Sequence, residues 1–191
     1  MDYNSQVATS IKESDDLYEQ QLLNDTFIGM AHWLLTKNSK KQIIEKVKSK
    51  LQSNRRRSGQ AFETAISEVL DQVGITYMEQ VNICRDGFTH KKKKGKGVFR
   101  VDYLVCPPSF NVGDKVGKDC IIISCKKSLR ERANQESDIH QFPANFVILT
   151  TTNEVRKNVD VEVYSTVNPN KNVNHLLNYL KSFQDEELYC D

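Results

Sequence analysis

The spacing of apolar positions divides the chain into a helical first third and a mixed remainder. From residue 1 to 53 apolar residues recur every three or four positions with few breakers, which predicts helix, interrupted at Asn38 and Ser39. The basic run SNRRRSGQ, residues 53–60, reads as a turn. Residues 60–74 then form an amphipathic helix, with Phe62, Ala65, Ile66, Val69, Leu70 and Val73 on one face and Gly74 as its C-cap. Beyond Gly74 the period falls to two. ITYMEQVNI (75–83) alternates like a strand, and VFRVDYLVCP (98–107) is a strand stopped by Pro107 and Pro108. DCIIISCK (119–126) is apolar enough to be the central strand, and ANFVILTT (144–151) and DVEVYST (160–166) are two more. RDGFTHKKKKGKG and PSFNVGDKVGK read as loops. SLRERANQES reads as a short helix with Ser128 as N-cap and Glu131 as its capping-box partner, and NVNHLLNYLKSF (172–183) as a terminal helix. The order is helices, then helix–β–β–β–α–β–β–α, which predicts an α/β fold: a mixed central sheet flanked by helices, with an N-terminal helical extension. The expected organisation is a helical segment over 1–53 and a core over 54–191.

Composition narrows the class. The 191 residues suffice for a core without staples, and 38% hydrophobic with 27% charged residues fits a globular chain. A net charge of +2 does not by itself mark a nucleic-acid binder, so local clusters have to carry any such reading. Cys84, Cys106, Cys120, Cys125 and Cys190 are odd in number and form no CxxC pair, which argues against a zinc ribbon or a disulfide framework and predicts a reducing cytosol. No signal peptide and no membrane-length apolar run are evident, so a soluble intracellular protein is expected. His32, His90, His140 and His175 lack metal-type spacing; His32 and His175 read as structural and Trp33 as core.

Three residues align for chemistry. Asp102 alternates with apolar neighbours in one strand, Lys126 ends the next, and Glu63 borders the apolar face of the preceding helix. A carboxylate and a lysine on neighbouring strands can converge at one sheet edge, and alternation puts Ser124 and Lys126 on one face. Carboxylate oxygens suit Mg²⁺, and an adjacent lysine can orient a water or offset charge on a phosphate.

RVDYLV followed about twenty residues later by IIISCK resembles the PD-(D/E)xK nuclease superfamily, and Glu63 fits its frequent additional acidic residue. Val101 stands where that motif has proline, and Ser124 where it has its second acid. The segment SCKKSLRER resembles the EcoRII-like (CCGG-type) subgroup of type II restriction endonucleases, in which that acid is displaced to the following helix and an Arg-Glu-Arg set follows the lysine. The resemblance spans residues 60–150. It implies Asp102 and Glu63 as Mg²⁺ ligands, with either Glu136 or Asp138 as the displaced acid, since Ile139 occupies the usual position. It implies Lys126 as the residue assisting the attacking water, strand alternation favouring it over Lys127. Arg130, Glu131 and Arg132 would read C·G pairs, arginine through guanine O6 and N7 and glutamate through cytosine N4; Ala133 replaces a frequent tryptophan. The implied target is a short palindromic C/G-rich site in double-stranded DNA, with or without an interrupted centre, cut by a homodimer to leave 5′-phosphates. A cognate methyltransferase is expected in the same bacterial or archaeal system, without physical contact. Arg55, Arg56 and Arg57, and Lys91, Lys92, Lys93, Lys94 and Lys96, would contact the DNA backbone.

Each feature also has a plainer reading. Asp102 can be a strand-edge aspartate, Glu63 a solvent-facing helix residue, Lys126 and Lys127 a strand emerging into water, and Arg130-Glu131-Arg132 a solvated helix face. A junction-resolving or repair nuclease of the same fold, or a non-catalytic DNA-binding module, would share the pattern.

Overall fold

The computed structural model describes residues 1–36, 39–91, 97–126, 142–152 and 161–187. Two long helices lead: α1 (Tyr3–Leu35) and α2 (Lys40–Val73). Ser39 caps α2 through a complete capping box with Gln42, so the predicted interruption is real. Gly74 ends α2 in the left-handed conformation (φ 78°) that its missing Cβ permits. The expected basic turn at 53–60 is instead continuous helix, and the proposed boundary at 53/54 falls inside α2. Arginine is a good helix former, and Asn54 and Ser58 are held from α1: Asn54 donates to the Tyr18 carbonyl at 2.9 Å and Ser58 to the Asp15 carboxylate. These bonds offset the cost of Gly59.

Among the described residues eight strands follow: β1 (Tyr77–Glu79), β2 (Asn82–Cys84), β3 (Thr89–His90), β4 (Val98–Arg100), β5 (Tyr103–Val105), β6 (Ile121–Lys126), β7 (Asn145–Thr150) and β8 (Glu162–Ser165). The main sheet has the order β1-β5-β6-β7-β8, antiparallel from β1 through β6 and parallel from β6 through β8. A second sheet has the order β3-β2-β4. The mixed α/β architecture therefore holds, and two expected strands are each divided. Residues 75–83 give β1 to the main sheet and β2 to the small one, and residues 98–107 give β4 to the small sheet and β5 to the main one. The first part of the lysine-rich loop is also paired, as β3.

Helix α3 (Val173–Glu187) closes the chain and buries Val173, Leu176, Leu177 and Leu180 at helical spacing. The main sheet is covered on one face by α2, α3 and the start of α1: Phe62, Ile66, Val69 and Leu70 pack with Tyr103, Val105, Ile121, Ile123 and Cys125. Alternate residues Leu104 and Ile122 face the other way, onto Val81, Ile83 and Val101 of the small-sheet side. There Cys106 and Cys120 form a disulfide that clamps the end of β5 to the residue before β6. The expectation of no disulfide framework counted spacing and not the hairpin that brings these two side by side. Cys84 and Cys125 are free and buried; Cys190 lies outside the described residues. Trp33 is not core: it is half-buried on the distal part of α1, beneath the Lys46 ammonium at 5.1 Å. His175 is exposed and bonds Asn172 at the start of α3 at 2.8 Å. Among the described residues no helix is long and apolar enough to cross a membrane.

Candidate active site

The site lies where the chain crosses between the two sheets. β5 and β6 are antiparallel with Tyr103 opposite Ile123, so one step beyond the ladder Asp102 meets Ser124. Asp102 is thus not within a strand, as its alternating neighbours suggest, but in the gap between β4 and β5. The Asp102 side chain is 15% exposed and the Lys126 side chain 20%. One oxygen, Oδ2, accepts from the Cys125 backbone N–H at 2.8 Å, the Lys126 ammonium at 3.2 Å and the Ser124 hydroxyl at 3.4 Å. Ser124 and Lys126 share a face, as alternation predicts, while Cys125 between them turns to the helical side.

Glu63 reaches the same place from α2. The Tyr103 hydroxyl donates to the Glu63 backbone carbonyl, and Gln80 Nε2 donates to Glu63 Oε2 at 2.7 Å. Gln80 also donates its backbone N–H to the Asp102 carbonyl at 2.9 Å. One residue therefore bonds the side chain of one acid and the backbone of the other. It does so with φ 53°, a left-handed conformation uncommon for a residue other than glycine.

The groups share one electrostatic field. Burial pushes the Glu63 carboxyl above its ordinary value, and the Asp102 charge pushes it further; Lys126, the Gln80 hydrogen bond and Arg100 oppose that rise. Burial, then Asp102 and Glu63, hold the Cys125 thiol well above its ordinary value, so it stays neutral. Tyr103 is raised by burial too and remains a donor to the Glu63 carbonyl.

Glu63, Asp102 and Lys126 are therefore brought together. Among the described residues no group of three His, Cys, Asp or Glu side chains is placed to hold a metal. Mg²⁺ needs only one or two protein carboxylates, with water and substrate oxygens completing its shell. No described residue donates to Asp102 Oδ1 or Glu63 Oε1, so one oxygen of each acid fits that requirement. The other candidates for ligand or base reader, Glu136, Asp138, Arg130, Glu131 and Arg132, lie outside the described residues, as do Lys92, Lys93, Lys94 and Lys96. Lys91 is exposed just beyond β3.

Arg55, Arg56 and Arg57 are exposed on α2. Because this segment is helical, Arg56 lies two turns before Glu63 and on nearly the same face. Gln80 and Tyr103 are the residues that sequence reasoning misses. The signal for Gln80 is the polar pair Glu79-Gln80, which interrupts the alternation running from Ile75 to Ile83. Tyr103 reads as core, and only the fold shows that its hydroxyl is used.

No family model, no curated protein and no solved structure matches this chain.

Proposed function

We propose that the chain is a Mg²⁺-dependent, site-specific DNA endonuclease of the PD-(D/E)xK type, a type II restriction enzyme that acts as a homodimer on a short palindromic C/G-rich site. The observation that supports this is the meeting of Glu63, Asp102 and Lys126 at one sheet end, from a helix and two strands far apart in sequence. Asp102 and Glu63 each present one oxygen to a cation, and Lys126, held beside Asp102, is placed to orient the attacking water and to offset charge on the phosphate. Bound there, Mg²⁺ supplies Lewis-acid stabilisation of the phosphate and a more acidic water. Arg56, on the Glu63 face of α2, is positioned to take a neighbouring phosphate, and Arg55, Arg57 and Lys91 add salt-dependent affinity. Arg130, Glu131 and Arg132 read the bases, and Glu136 or Asp138 supplies the displaced acid.

Incubation of plasmid DNA with the protein and Mg²⁺ tests this reading. Discrete fragments are expected, with Asp102→Ala and Lys126→Ala each slowing cleavage by roughly 10²–10³-fold. A smear would favour a nonspecific nuclease, and intact DNA with every divalent metal would overturn catalysis.

One observation favours a second reading, a non-catalytic DNA-binding module. Asp102 Oδ2 is already satisfied by three donors, as expected of a structural carboxylate that ties β5 to β6. Such a protein would bind DNA and cut none of it, and Lys126→Ala would leave its affinity unchanged within a factor of two or so.

A further inference from the structure

Among the described residues, helix α1 enters the core only near its start, through Val7 and Ile11. Beyond Ile11 it runs beside α2 as an arm. Polar pairs bridge the two, Asp15 with Ser58, the Tyr18 carbonyl with Asn54, Asp25 with Lys50, and Leu22, Trp33, Ile43 and Val47 are half-buried along the same arm. Other apolar residues of the distal half stay exposed. Leu23, Phe27, Met30 and Leu34 are 55%, 77%, 42% and 67% exposed, and their spacing of four, three and four is that of a coiled-coil seam. A second stripe on another side includes Ile28 at 72% and Leu35 at 83%. Ile44 and Leu51, seven residues apart on α2, are exposed as well. A helix apolar on several sides is one that belongs inside a bundle.

The charges indicate what covers it. α1 carries five acidic residues and one lysine, whereas α2 carries eight basic and four acidic residues, its five lysines falling between Lys40 and Lys50, apart from Arg55, Arg56 and Arg57. An acidic α1 is a poor match for DNA or for an anionic lipid surface. A two-fold axis that lays the acidic helix of one arm against the basic helix of another makes the surface self-complementary, as an isologous contact requires. Exposing on the order of 100 Å² each, the six named α1 residues approach the ~800 Å² per partner of a standard stable interface.

We propose that the α1–α2 arm is a homodimerisation surface, on which a second copy of the chain packs its own arm to form a four-helix bundle centred on Leu23, Phe27, Met30 and Leu34. This deepens the homodimer named above by giving its surface. Its test reads mass and not cleavage, so either reading can fail alone.

Light scattering on the full chain after size exclusion should give a mass near twice 22.0 kDa at micromolar concentration. The double variant Phe27→Asp/Leu34→Asp replaces exposed side chains, so it should keep the parent's circular dichroism while dimer affinity falls by about 100-fold or more. Leu23→Asp, on the same seam, is the second variant, expected to weaken the dimer if Phe27→Asp/Leu34→Asp does not fold. Asp102→Ala should dimerise as the parent does. A monomeric parent, or a folded double variant that dimerises like the parent, would overturn the proposal. So would a monomeric parent whose double variant loses DNA affinity, or one that sediments with anionic vesicles, since those outcomes assign the surface to DNA or to lipid.

Discussion

The sheet end that carries Asp102 and the distal α1–α2 arm use polar and apolar groups in opposite ways. At the sheet end polar groups converge on buried ground and bond one another: three donors meet one oxygen of Asp102, and Gln80 links Asp102 to Glu63. Along the arm polar pairs bridge the two helices while Phe27, Ile28, Leu34 and Leu35 face outward. The first region draws its described groups from one chain and holds charge in fixed positions. The second leaves its apolar surface uncovered until another surface arrives.

The largest effect that separates them is on stability. Ile123 is fully buried between β5 and β7, where it packs with α2. Ile123→Ala should destabilise the fold by about 2–5 kcal/mol, through lost burial and a cavity that the sheet cannot close. Leu34→Ala should cost less than about 0.5 kcal/mol when urea unfolding is followed at concentrations too low for association. Equal losses would mean that the arm packs within its own chain, and the contrast would disappear.

A smaller effect sharpens the account of the sheet end. Gln80→Gly removes the bond to the Glu63 carboxylate, keeps the backbone N–H on the Asp102 carbonyl, and relieves the left-handed φ. Cleavage should fall roughly tenfold while thermal stability holds or rises by up to about 1 kcal/mol, the scale of strain at such a position. Gln80→Asn, which tolerates the same φ but reaches less far, should lose activity and keep part of that gain. If Gln80→Gly keeps full activity, Gln80 supports the fold and not Glu63.

Much of this site is legible in the sequence because a β-hairpin converts sequence distance into register. Once β5 and β6 pair, Asp102 must arrive opposite Ser124, beside Lys126, and the apolar face of α2 fixes the side on which Glu63 sits. The division of residues 75–83 and 98–107 between two sheets is not legible. The polar pair Glu79-Gln80 breaks the first alternation, but nothing in the period says that the two halves join different sheets. The helix through Arg55, Arg56 and Arg57 is hidden for a different reason: a basic, glycine-containing run resembles a turn until Asn54 and Ser58 find partners on α1. Trp33 misleads in the same region, because on the arm large apolar side chains do not mark a core.

The smallest prediction sets the two roles of Glu63 against each other. Its carboxyl is held above the ordinary value, first by burial and then by Asp102. A raised carboxyl pKa means that the folded protein binds the proton more tightly than the unfolded chain does. Below the ordinary carboxylate range both states are protonated, and the group's contribution to stability is fully present. As pH rises through the higher folded value, that contribution is lost, so ionised Glu63 is a cost at neutral pH. Glu63→Gln keeps an oxygen for Gln80 and removes the charge. Partial exposure screens the effect, so metal-free protein should gain only about 1–2 °C in Tm at neutral pH. The gain should vanish at acidic pH, where Glu63 is itself neutral. Scanning calorimetry in chelator across that pH range makes the check, and a Tm gain independent of pH would mean that the charge of Glu63 is not what burdens the fold. A neutral-pH gain accompanied by loss of Mg²⁺-dependent cleavage would show an acid kept at a cost to the fold because the chemistry requires it.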